Sequence, residues 1–226
     1  MDQIVLDNVS RDYRVGNAAI VAVQNASLAI GKGAFVSIVG HSGSGKTTLL
    51  SLIGGMMRST SGRVLFNGED ISAWDSDQLS EYRCERIGFM FQSASLLPIL
   101  TAKENLLLPV AFRARKAADD GNGRRAEELL RAVGLGDKID AYPAQLSGGQ
   151  QRRVAIARAF MNGPELVLAD EPTGDLDEET ENDMMQFFLQ MNKERGTTFI
   201  MVTHNSDLAR KTQQQFRMHN GVISAA

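Results

Sequence analysis

Apolar and polar positions along this 226-residue chain change period several times, and the changes mark out its elements. Ile4 to Val9 reads as a strand, and Val21 to Ile30 as a second, alternating one that ends in the turn Gly31-Lys32-Gly33. Ala34 to Val39 is an apolar, β-rich run, followed by a helix-like run from Thr47 to Ile53. Arg63 to Phe66 predicts a strand entering the turn Asn67-Gly68, and Ile87 to Phe91 a short buried strand. Residues 101–140 predict mostly helix. Within them the polar stretch Arg113 to Arg125 carries Asp119-Asp120-Gly121-Asn122-Gly123, which predicts an exposed loop. Leu166 to Ala169 and Thr198 to Val202 are apolar enough for central parallel strands buried on both faces.

Strands alternating with helices predict an α/β core. The helical stretch near 93–155 predicts a lobe of its own, set into a core formed by about 1–92 and 156–226 of a single domain. No internal repeat or low-complexity tract is visible. Hydrophobic residues make up 43% and charged residues 23% of the chain, ordinary for a globular protein. The net charge of −3 implies no basic face and argues against a nucleic-acid partner. Cys84 is the single cysteine and has no internal disulfide partner, which fits a reducing compartment. The start, Met1-Asp2-Gln3, is acidic with no apolar run behind it, so no leader is expected. The most apolar segment, Leu96 to Phe112, is broken by Lys103, Glu104, Asn105 and Pro109, and nothing approaches the roughly 18 apolar residues of a membrane span. Work at a membrane would need a partner that supplies the spans.

Candidate chemistry begins at Gly40-His41-Ser42-Gly43-Ser44-Gly45-Lys46-Thr47, which fits the phosphate-loop pattern G-x-x-x-x-G-K-[ST] between a strand and a helix. Gly40, Gly43 and Gly45 let the backbone curl with its N–H groups inward, where side chains would block a phosphate. The next helix offers its positive N-terminal end to the anion. Lys46 is placed to reach β- and γ-phosphates and the Thr47 hydroxyl to ligate Mg²⁺, with Ser42, Ser44 and Thr48 completing the cradle. Leu166 to Glu171 is four apolar residues and then two acids. Strand alternation points Asp170 and Glu171 to opposite sides, so that one serves Mg²⁺ and the other faces an attacking water. Such a pair is weak evidence alone and gains weight beside a phosphate loop. About a hundred residues after the loop stands Leu146-Ser147-Gly148-Gly149-Gln150. Ser147, Gly148 and Gly149 would open a helix running to Ala159, and its hydroxyl, bare N–H groups and dipole make a second anion site.

These strings, together with Gln92, the turn Gly174-Asp175-Leu176-Asp177 and His204, occur in an order and spacing that resembles the ATPases of ATP-binding cassette (ABC) transporters across essentially the whole chain. The resemblance implies a P-loop NTPase fold with a RecA-like core, an antiparallel β subdomain and an α-helical subdomain, and an enzyme that hydrolyses ATP with Mg²⁺. It implies that Tyr13 stacks on adenine, that Gln92 senses Mg²⁺ and water, and that Asp170 is the Mg²⁺-associated aspartate. It also implies that Glu171 is the general base, that His204 contacts the γ-phosphate, and that Asp177 belongs to the loop crossing between subunits. In such ATPases Ser147, Gly148, Gly149 and Gln150 of one subunit would cap the γ-phosphate held by the phosphate loop of another, giving a head-to-tail homodimer.

Arg86 to Gln92, the run Leu96 to Pro109 and the ending after Val202 resemble the branch that holds lipoprotein-release ATPases (LolD-like), MacB-type exporters and FtsE-like subunits, nearest to the LolD-like chains. That branch implies a permease partner with four membrane helices and a large extracytoplasmic domain, and a place on the cytoplasmic face of the inner membrane. Leu96 to Leu108 would then line the groove that docks the permease. His41, Asp175 and Asn205 depart from residues common in the branch, and none removes a catalytic group. Two other readings stand beside this one: an FtsE-like regulator of a cell-wall enzyme, and a non-transport ABC ATPase.

Overall fold

The computed structural model of the chain describes every residue except Asn17, 114–120 and Asp175. The chain opens with an antiparallel hairpin of β1 (Asp2–Val15) and β2 (Ala18–Gly31), then leaves it along β3 (Phe35–Val39) for a second sheet. It returns through β4 (Ser61–Phe66) and β5 (Glu69–Asp70), completing a four-stranded antiparallel sheet in the order β2-β1-β4-β5. Both hairpin strands run past the expected Ile4–Val9 and Val21–Ile30. Register shifts on either side of Val9, with Asn8 at φ 51° and Asn25 at φ 46°, break the two-residue period that announces a strand. Asparagine tolerates that left-handed backbone, so the arm continues beyond the bulges.

The second sheet adds β6 (Ile87–Met90), β7 (Leu166–Asp170), β8 (Thr198–Thr203), β9 (Gln214–His219) and β10 (Val222–Ala225). Its order is β10-β9-β3-β8-β7-β6, parallel apart from β10 against β9. Its central strands are buried on both faces, as their unbroken apolar runs predict. Alternation divides them between two cores. Val36, Ile38, Leu166, Leu168, Ile200 and Val202 join one core with Ile4, Leu6 and Phe66 of the antiparallel sheet. Phe35, Val167, Ala169, Phe199 and Met201 face the other. The Phe35 and Phe199 rings meet there at 4.9 Å between centroids, and burying one such ring stabilises the fold by about 1.5–3 kcal/mol.

The helices follow from local signals. α1 (Lys46–Ile53) leaves the phosphate loop and buries Leu49, Leu50, Leu52 and Ile53 in the first core. α2 (Ser76–Glu81) is capped by Asp75 and Gln78. α3 (Ala102–Ala111) starts at a capping box of Thr101 and Glu104 and carries Pro109 in its last turns. α4 (Asn122–Ala132) begins at Gly121, left-handed at φ 73°. The expected loop over 119–123 therefore gives way to helix at Asn122, and its first part lies outside the described residues. α5 (Gly148–Ala159) packs on α3 and α4, and Leu106, Leu129, Leu130 and Val154 carry the second core into this lobe. The lobe edge expected near 155 falls inside α5, which runs unbroken to Ala159 beside β6. α6 (Glu178–Arg195) lays Met184, Met185, Phe187 and Phe188 on the same core, and the short α7 (Ser206–Arg210) follows β8.

Leu96 to Leu108 does not line a groove as a unit. Leu106 and Ala102 are wholly buried in the lobe, and Leu107 packs against its core. Asn105, which interrupts the run in the sequence, is also buried. Its amide donates to the carbonyls of Leu97 (3.2 Å), Leu100 (3.0 Å) and Thr101 (2.9 Å), so the polar group is satisfied where it pins the turn into α3.

Candidate nucleotide site

The ends of β3, β7 and β8 open on one cavity of about 550 Å³, at the edge of a parallel sheet where ligands are usually held. β3 delivers the phosphate loop. A Cβ on Gly45, at φ 103°, would lie 2.1 Å from the Ala22 carbonyl oxygen, and one on Gly40 would lie 2.3 Å from that of Met218. Both glycines are therefore demanded by backbone passing behind the loop as well as by the space in front of it. Ser42, Gly43, Gly45, Lys46, Thr47 and Thr48 line the cavity. Ser44 lies beneath it, 5% exposed, its hydroxyl without a partner among the described residues. The Lys46 ammonium folds over the loop and donates to the carbonyls of Gly40 (2.7 Å) and His41 (3.0 Å).

β7 brings the acids. The Thr47 hydroxyl donates to Asp170 Oδ2 at 2.7 Å, joining positions far apart in the chain on the cavity floor. Burial holds the Asp170 carboxyl above its ordinary range, against the hydrogen bond from Thr47, and the neighbouring Glu171 adds to the rise. Glu171 corrects the expectation from strand alternation. β7 ends at Asp170 and Glu171 turns left-handed, φ 47°, while its N–H still reaches Val202 O at 3.0 Å. The turn swings its side chain back, so both carboxylates face the same cavity rather than opposite sides of the sheet. There Glu171 Oε1 lies 2.9 Å from Nδ1 of His204, which stands just past β8. Gln92 and Gly174 complete this wall.

Other expected residues lie elsewhere. Tyr13 does not line the cavity. Its hydroxyl donates to Met57 Sδ at 3.0 Å, and the Arg11 guanidinium lies 5.0 Å from its ring centre. Its strand partner Ile20, with Val21 and Ala22, forms the cavity wall on that side. Ile20 and Val21 are 51% and 48% exposed, and aliphatic residues in a strand give no sequence signal of such a role. Ser147, Gly148, Gly149 and Gln150 also lie outside this cavity. Ser147 caps α5, accepting from Gln150 N at 3.3 Å while Gln150 Oε1 accepts from Ser147 N at 2.9 Å, and the N-terminus stays exposed. Asp177 caps α6 through Thr180 N at 2.9 Å, and the hydrogen bonds from Thr180 hold its carboxyl below the ordinary range. Asn205, a departure from the resembled pattern, caps α7 through Asp207 N at 2.9 Å. Another hollow, of about 220 Å³ between Phe66, Trp74 and Tyr82, contains none of these groups.

Residues 23–174 match the family model of the ABC transporter. The chain is 42% identical over 223 residues to the macrolide export ATP-binding/permease protein MacB of Syntrophobacter fumaroxidans, covering 99% of this chain and 31% of that protein. It is 38% identical over 224 residues to the ABC transporter ATP-binding protein YtrE of Bacillus subtilis, covering 97% of this chain and 96% of that one. It thus spans about a third of the curated MacB relatives it matches and nearly all of YtrE. The dimeric post-hydrolysis structure of the ATP-binding cassette MJ0796, bound to ADP and Pi, is similar at a TM-score of 0.93 and 40% identity over 98% of each chain. At that coverage and identity the chain belongs to the ABC transporter family, as one of its ATPase cassettes.

Proposed function

We propose that two copies of this chain bind two ATP molecules between them and use their hydrolysis to drive a membrane permease of the LolD/MacB type. The observation that carries this reading is the separation of two anion-binding elements. The phosphate loop faces the cavity, while the open N-terminus of α5 stands outside it and free to meet another subunit's nucleotide. Lys46 and the loop N–H groups hold the phosphates, and the unpartnered Ser44 hydroxyl supplies a further donor. Adenine extends past the Ile20 wall, out of the phosphate cavity, to stack on Tyr13, and Asp177 lies in the loop that meets the opposite subunit. Mg²⁺ takes hard oxygen ligands and is commonly held by one or two protein groups plus substrate phosphate. The Thr47 hydroxyl and Asp170 carboxylate are such a pair, with Gln92 beside them on the same cavity. When bound there, the ion would neutralise charge on the phosphate chain.

Glu171 takes a proton from water as the water oxygen bonds to the γ-phosphorus and the bond from that phosphorus to the bridging oxygen breaks, leaving ADP and phosphate. His204, on the Glu171 carboxylate, faces the γ-phosphate and keeps the base aimed at the water. Among the described residues no helix is long and apolar enough to cross a membrane. The permease, a four-helix subunit with a large extracytoplasmic domain, holds the cassette at the cytoplasmic face of the inner membrane. A groove of about 440 Å³ between sheet and lobe is suited to it. Met56, Phe91 and Phe112 line it and are 39%, 42% and 77% exposed.

Two experiments test the reading. Tagged protein with Glu171→Gln, loaded with ATP and recovered from solubilised membranes, should bring down a four-helix permease; recovery of ribosomes, nucleic acid or a many-helix importer would remove the branch assignment. Ser147→Arg should block the ATP-dependent dimer in light scattering while ATP binding stays within about threefold, because the bulk sits where the second nucleotide docks. A dimer of normal mass from that variant counts against the composite site.

A further inference from the structure

We infer that Arg152 is a positioning residue that sets the backbone of the catalytic carboxylate and ties it to Gln92 from the helix that opens at Ser147. Arg152 lies on α5 and is 3% exposed. A buried guanidinium is tolerated when its fork of N–H donors meets acceptors. Among the described residues the acceptors include backbone carbonyls from two separate segments. Nε donates to Pro172 O at 2.8 Å, and Nη2 donates to Glu171 O and, at 3.4 Å, to Asp170 O. Nη1 donates to Phe91 O at 2.5 Å and to Gln92 O.

The first set surrounds the left-handed turn at Glu171, a conformation that residues other than glycine hold only when their surroundings impose it. Turning the carbonyls of Asp170, Glu171 and Pro172 toward α5 is the counterpart of swinging the Glu171 side chain into the cavity beside His204. The second set fixes the start of the segment that carries Gln92. Arg158, further along the same helix, reinforces it by donating to Ala94 O and Ser95 O at 2.9 Å each. The neighbouring Arg153 reaches the lobe instead, at Val133 O, 3.1 Å. One side chain of α5 therefore holds two cavity residues in a fixed relation, and a shift of α5 moves both. Engagement of the exposed Ser147 end is transmitted to the base of the same subunit through this fork.

The inference rests on Glu171 acting as the base, and the test separates the two. Steady-state turnover, ATP affinity and single-turnover hydrolysis are measured for the full chain carrying Arg152→Gln, Arg152→Lys, Glu171→Gln and the combination of Arg152→Gln with Glu171→Gln. Misplacing the base by an ångström costs on the order of 10²-fold, so Arg152→Gln should lower kcat about 10- to 100-fold with ATP affinity within about threefold. Arg152→Lys, which keeps the charge and part of the donor set, should recover part of that loss. In the Glu171→Gln background the Arg152→Gln change should lower residual turnover by less than about twofold, because the group it positions is already gone.

A native kcat for Arg152→Gln overturns the inference, and so does an equal loss in both backgrounds, which marks a structural role alone. If Arg152→Gln fails to fold, Arg152→Lys decides: a kcat loss at unchanged affinity supports the positioning role and native turnover removes it. Native turnover of Glu171→Gln removes the base assignment and this inference together. An inactive Glu171→Gln beside a native Arg152→Gln removes this inference alone.

Discussion

Glu171→Gln is expected to lower ATP turnover by about 10²- to 10⁴-fold, the usual contribution of a general base. The substitution is nearly isosteric. Its amide can still meet His204 Nδ1, now 2.9 Å from the carboxylate, and the backbone turn held by Arg152 does not depend on side-chain charge. The phosphate loop, Lys46 and the Thr47–Asp170 pair are untouched, so ATP affinity should stay within about threefold. Binding without turnover should leave an ATP-bound dimer that accumulates. Phosphate release checks the first expectation and gel filtration with ATP the second. Turnover close to that of the unmodified chain would take Glu171 out of the role of base and pass the question to another group on the same wall.

Lys46→Ala is expected to weaken ATP binding by about 10- to 150-fold, the equivalent of the about 1.5–3 kcal/mol carried by a hydrogen bond to a charged group. In this structure Lys46 is 8% exposed, and its ammonium lies against the carbonyls of Gly40 and His41. It already stands over the place where the phosphates enter, and few solvent contacts need to be lost when they do. Alanine is the best helix former, so the start of α1 should survive the change. Titration with a fluorescent ATP analogue measures the effect, and thermal unfolding without nucleotide checks that the fold is intact. An affinity within about twofold of the unmodified chain shows that the loop N–H groups suffice alone.

Much of this site is legible before folding because its signals are local. The phosphate loop needs glycines at set intervals between a strand and a helix, and Gly40 to Thr47 supplies them within one turn of chain. The capping box of Ser147 with Gln150 announces the start of α5 for the same reason, since donors and acceptors are three residues apart. Unbroken apolar runs identify β7 and β8 as central strands, and their alternation between two cores follows from the pleat. The family resemblance adds roles to these residues, and the comparisons bear out the family.

Other features escape a local reading. The hairpin arm extends past Val9 because asparagines absorb bulges, a property invisible to a period of two. Leu96 to Leu108 resembles a lining for a groove, yet Ala102 and Leu106 fill the lobe with Leu96 and Leu107 packed against its core, and that is decided by what α4 and α5 bring to the other side. Ile20, Val21 and Ala22 become a cavity wall only because their strand is laid beside the phosphate loop.

By itself the sequence determined that a phosphate chain is bound, where the loop, acids and second helix terminus lie along the chain, and that the core is a parallel sheet. The tertiary structure alone decided where the acids point. Thr47 meets Asp170 across 123 positions of sequence, Glu171 meets His204 across 33, and Arg152 reaches Gln92 across 60. Hydrogen bonds of that span exist only after β3, β7 and β8 are neighbours, because closing such loops costs entropy that no short-range preference repays. Strand parity, a local rule, places Glu171 on the wrong side. A buried guanidinium on α5 donates to the carbonyl at the turn that brings it back.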